Sequence, residues 1–211
     1  LGPKVIEKIM VTRHMTEFLP EQIDEGVRSV CALSPGVLGI TGIETSEIIL
    51  GVVNRVKPDL VIAIDALASR KLERVNTTIQ IADTGINPGS GVGNNRKELS
   101  EKSLGIPVIA IGVPTVVDAA TMANDTIDLV IDNLIKEARK ERNFYEMLKN
   151  INREEKMTLI NEVLSPRMGD LMVTPKEIDD FIEDISDVIA DGLNISLHPG
   201  IHMDDVHRFL N

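Results

Sequence analysis

Two almost identical apolar runs set the strongest limit on how this chain can fold: Val61-Ile62-Ala63-Ile64 and Val108-Ile109-Ala110-Ile111. A run with no polar residue at alternate positions is the pattern of a strand buried on both faces of a parallel sheet. The runs part company at the next residue, where the first continues into Asp65 and the second into Gly112. The first strand is expected over residues 59–65 ("DLVIAID") and the second over residues 107–113 ("PVIAIGV"). Between them "TTIQIAD", residues 77–83, alternates more and is expected nearer an edge of the sheet.

Helical spacing separates and follows these runs. Residues 44–56 place Ile48, Ile49, Val52, Val53 and Val56 on one face before Pro58 stops the helix. A long helical tract from about residue 116 towards 148 carries an apolar face through Val117, Ile127, Val130, Ile131 and Leu134, with "KEARKER" as a solvated stretch. Helices between strands imply crossover connections, so the expected class is α/β, a layered sheet covered by helices. At the start, residues 2–15 read as one amphipathic helix without a side-chain cap, and "SVCAL" as a short strand. No strand pattern follows residue 150. "INREEKMTLINEVL" and "EIDDFIEDISDVIADGLN" read as helices, the second led by "TPKE" with Thr174 as cap and Glu177 completing a capping box, and "MDDVHRFL" as a terminal turn or helix. The division expected is an α/β core over residues 1–148 and a helical part over 149–211 packed on it.

Composition removes several functions. A net charge of −11 opposes direct binding to a phosphate backbone, and four Phe with one Tyr cannot build a base-stacking platform. No apolar run approaches the roughly 20 residues that span a bilayer, so no membrane partner is expected. The chain starts with neither Met nor a signal-peptide pattern, and is expected to be a cytoplasmic fragment. Cys31 is the only cysteine; in "RSVCALSPG" it has no neighbouring His and is expected as a packed core residue.

In open α/β sheets ligands bind beyond the carboxyl ends of the strands. Asp65 and Asp83 are expected at two such ends and the Gly112-Val113-Pro114 turn at a third. The ordinary alternative for each Asp is a helix cap or loop residue. "DTGINPGSGVGNNRKE" is the most irregular segment, with Gly85, Gly89, Gly91 and Gly93 ahead of a short basic pair. It fails the dinucleotide fingerprint, which needs Gly where Asn94 stands, and lacks the Gly-Lys-Ser/Thr of a P-loop. The favoured reading is a substrate loop at the rim, involving Asp83, Gly85, Asn87, Gly89 and Gly91, whose peptide groups can pair with an extended chain. His198 and His202 in "HPGIH" are separated by the helix-breaking Pro199 and Gly200 and have no obvious third ligand, so surface or capping roles and no metal are expected. Ser69, Ser90 and Ser103 lack the strand-to-helix context of a nucleophilic serine.

"GITGIETSEII", "DLVIAIDALASR", "VNTTIQIADTGINPGSGVGNNRKELS" and "LGIPVIAIGVPTVVDA" together resemble the germination proteases of spore-forming bacteria, endopeptidases that degrade small acid-soluble spore proteins. The resemblance implies a fold similar to the hydrogenase-maturation proteases and an atypical aspartic mechanism with two aspartates. Asp65 matches one of them. The other belongs to a Pro-Asp-Ala-Leu-Gly-Pro motif of which Leu1, Gly2 and Pro3 match the last three residues, placing it two positions before Leu1. The chain as given is then expected to lack its first strand and to be inactive. The resemblance further implies a zymogen, a homotetramer, location in the spore core and no cofactor. Nickel recognition by the hydrogenase-maturation enzymes invites a His in the Gly-rich loop, but Asn87 is a poor ligand. The competing functions are a non-catalytic peptide-binding α/β module and a nucleotide-binding protein.

Overall fold

The computed structural model describes residues 1–18, 26–89, 96–137, 146, 152–168 and 171–200. The chain is α/β. Its described strands are β1 (Val61–Ser69), β2 (Gln80–Ala82), β3 (Val108–Asp118) and β4 (Met172–Val173), in one sheet ordered β1-β3-β2 with β4 also paired to β3. The helices are α1 (Gly2–Glu7), α2 (Arg13–Phe18), α3 (Leu38–Thr41), α4 (Thr45–Val56), α5 (Glu101–Leu104), α6 (Ala119–Glu137), α7 (Arg153–Met168) and α8 (Ile178–Leu197).

The sheet is not wholly parallel. β2 runs antiparallel to β3, with Gln80 opposite Gly112 and Ala82 opposite Ala110, and β4 pairs antiparallel through Val117 and Val173. The link from β1 to β2 is residues 70–79 and contains only the single 3₁₀ turn Leu72–Arg74. It is too short for the helical crossover that a parallel return needs. As expected from its alternation, β2 lies at an end of the strand order, and all three of its residues are exposed.

Both long strands overrun their expected ends. β1 continues past Asp65 to Ser69, because Ala66, Leu67 and Ala68 extend the strand pattern. β3 continues through Gly112, Val113 and Pro114, so the expected turn is strand interior. Pro114 falls between the β2 pairing, which ends at Gly112, and the β4 pairing, which begins at Val117, so its missing N–H removes no bond from either ladder. Its carbonyl still accepts the Asn76 N–H at 2.8 Å.

The chain divides into two compact units. The first unit comprises Leu1–Ala66, Gln80–Gly112 and Glu177–Asn211. Its core contains Leu99, Leu104 and Val108, with Ile49 of α4, Val61, Ala63, Ile86 and Ile106 packed against them. α1 packs on α8 around Val5, Ile189 and Ala190. The helix expected over residues 2–15 is broken after Glu7, where the Lys8 carbonyl and Met10 N–H bond to Asn194 of α8 instead of continuing the helical ladder. "SVCAL" forms no strand: buried Thr12 accepts the Val30 N–H through its hydroxyl, and the Thr12 and Arg13 N–H groups bond to the Val30 carbonyl. Cys31 is exposed there, not packed in a core.

The second unit comprises Leu67–Ile79 and Val113–Lys176. α6 starts at Ala119 because Val116, Val117 and Asp118 complete β3, and Asp118 Oδ1 accepts the Thr121 N–H at 3.0 Å. The apolar face expected to turn inward is largely open: Val130 is 53% exposed and Ile127 and Leu134 more than a third. α6 and α7 are joined by an ion pair between Asp128 and buried Lys156. Thr174 does not cap α8. Standing just after β4 and so beside β3, it donates its hydroxyl to the Thr115 carbonyl at 2.9 Å, and α8 begins at Ile178 with no side-chain cap.

Candidate functional site

Asp65 lies inside β1, not at its end, and is partly buried. Its Oδ1 accepts the N–H of the next residue, Ala66, at 2.9 Å. Burial raises its pKa above the ordinary carboxylate value, outweighing that hydrogen bond and the positive charges of the Leu1 amino group and Arg96, which pull the other way. The Leu1 amino group is lowered by its own burial while the Asp65 charge acts to raise it. The start of the chain is thus held against β1. A Cβ on Gly2 would stand 2.9 Å from the Ile64 carbonyl oxygen, so only glycine allows α1 to begin this close to the strand.

The Gly-rich segment is pinched at its base. Ile86 and Leu99 form an antiparallel bridge with paired N–H to carbonyl bonds of 2.9 and 2.8 Å. Gly85, at φ +84°, makes the pinch: a side chain there would meet the Leu99 carbonyl oxygen at 2.3 Å and could not adopt that backbone without strain. Gly89 also has positive φ, while Asp83 and Asn87 are exposed. Gly91 lies outside the described residues. Arg96, at the returning end of the loop and not among the expected loop residues, lies near enough for its charge to act on Asp65. The sequence offered only a basic pair after a glycine run as a hint of Arg96; the bridge at Ile86 and Leu99 is what returns it to the site.

His198 occupies the C-cap position of α8, fully buried, with Nε2 3.3 Å from the Met10 carbonyl oxygen. Of the two expected places, surface or cap, it takes the cap position, in the interior. His202 lies outside the described residues. Among the described residues no three His, Cys, Asp or Glu side chains could hold a metal, and no helix is long and apolar enough to cross a membrane.

A family model described as germination protease matches residues 1–143 and 135–210. The chain belongs to the germination protease family. It is 64% identical over 211 residues to a germination protease of Clostridium tetani, covering all of this chain and 65% of the relative. The corresponding protein of Clostridium acetobutylicum is 61% identical, with 100% and 64% covered, and that of Bacillus pumilus 52% identical, with 99% and 64% covered. The chain thus spans just under two thirds of the length of these germination proteases.

Proposed function

We propose that this chain is part of an endopeptidase in which Asp65 is one of two catalytic carboxyls and acts as the proton donor. Family membership supports a peptidase. The observation that carries the role of Asp65 is its environment: a partly buried strand acid whose pKa is raised by burial. An acid held protonated to higher pH can donate to the leaving nitrogen, while a second, ionised carboxylate takes a proton from water. The water oxygen bonds to the scissile carbonyl carbon, the carbon–nitrogen bond breaks, and the two protons pass from water to the base and from Asp65 to the amine. Arg96 adds positive charge beside the developing oxyanion.

The second carboxyl is expected two positions before Leu1, and the proximity of the Leu1 amino group to Asp65 supports placing it there. The substrates are small acid-soluble spore proteins, met in the spore core by a homotetramer released from a zymogen; the pinched Gly-rich loop offers backbone groups to an extended substrate. In a protein of the relatives' full length, Asp65→Asn is expected to lower the cleavage rate by at least about 100-fold while substrate still binds. An unchanged rate refutes the assignment.

A further inference from the structure

We infer that Asn194 of α8 is a positioning residue for the Asp65 site: it clamps the elbow after α1 and, through that helix, fixes the chain that runs past Asp65. The inference rests on the reading of Asp65 given above. Asn194 is fully buried, and its carboxamide uses both of its ends. Nδ2 donates to the Lys8 carbonyl and Oδ1 accepts the Met10 N–H, each at 2.9 Å. One turn further along α8, buried His198 places Nε2 near the Met10 carbonyl oxygen.

The same face of α8 holds the rest of α1. Glu183 pairs with Lys4 and, at 2.6 Å, with Lys8, and Asp187 pairs with Lys8 at 2.5 Å. Positions 183, 187, 194 and 198 follow helical spacing, so α1 is tied along its length to one stripe of α8. Burial of Val5 on α1 and of Ile189 and Ala190 on α8 favours packing without direction, whereas the two Asn194 bonds fix register and rotation.

At its other end α1 reaches the site. The Leu1 carbonyl accepts the Val5 N–H at 3.1 Å, so Leu1 moves with the helix. Gly2 abuts the Ile64 carbonyl, on the residue before Asp65. Six residues of helix, about 9 Å, separate the clamp from Gly2, a span short enough to transmit a shift.

The test uses a protein of the relatives' full length with Asn194→Ala, and with Glu183→Gln as a second variant on the solvent side that does not disturb the core. Leu159→Ser, on the exposed side of α7, is the control. Both α8 variants are expected to quicken amide exchange at Val5 and Ile6, to lower kcat with KM within about twofold, and to move the alkaline limb of the pH–rate profile towards lower pH as Asp65, the proton donor, becomes more hydrated. The Asn194 effect is expected to be the larger, at about tenfold in kcat, and the control to match wild type. Faster exchange with unchanged kcat and pH profile overturns the inference, leaving Asn194 merely structural. If Asp65→Asn leaves cleavage intact, the catalytic reading fails separately, and NMR titration of the Asp65 carboxyl decides the clamp: a shift in both variants supports it, no shift overturns it.

Discussion

β1 and β3 open with the same four residues yet live in different surroundings. In β3, Val108, Val113 and Val117 are at most 2% exposed, whereas in β1 only Ser69 is buried. β3 is flanked in the strand order by β1 and β2, while β1 ends that order. Position in the sheet, not residue type, sets the difference. It also decides where an acid can stand. At the fifth position, β3 has buried Gly112, paired with Gln80, and β1 has Asp65, partly hydrated and able to titrate.

The largest effect is expected from exchanging that fifth residue. Gly112→Asp puts a carboxylate into a buried strand position and should cost about 3–5 kcal/mol in denaturant unfolding. A loss below about 1 kcal/mol would show that the two positions are equivalent. Next in size, Val113→Ala should cost about 2–3 kcal/mol, and Val61→Ala, in the less buried twin, less than half as much. Equal losses would break the contrast.

The smallest effect concerns pH. Because Asp65 is raised above 3.8, the folded chain holds its proton where the unfolded chain has lost it, so its ionisation lowers stability as pH rises from about 3.8 through the folded value. Asp65→Asn should therefore remove that slope and leave the protein slightly more stable near neutrality. Glu183 has the opposite sign. The hydrogen bond from Lys4, then that from Lys8, lowers it to about 2, so its contribution is present above 4.5 and lost as pH falls through about 2. Unfolding curves of the two variants against pH should tilt in opposite senses.

The elements were legible where apolar period is strong. The cores of β1 and β3, α4 and α8 follow from spacing alone, whereas the two-residue β4 falls after residue 150, where no strand is expected, and the expected terminal helix lies outside the described residues. Their ends were not, because Asp65 and Gly112-Val113-Pro114 look like stop signals until the partners that span them are known. Cys31 misled for a related reason: "SVCAL" is apolar, but its segment is tied to Thr12 and not to the sheet. Asp65 stood out as an acid behind an apolar run. Arg96 and Asn194 did not, since a cation after a loop and an amide within an acidic helix acquire their roles only from contacts distant in sequence.

The central claim is that β1 presents a partly buried acid poised to donate a proton. Carboxyl-carbon NMR titration of Asp65 in the folded chain, assigned by comparison with Asp65→Asn, tests it most directly. The account predicts a midpoint clearly above the ordinary Asp value of about 3.9. A midpoint at or below that value would contradict it.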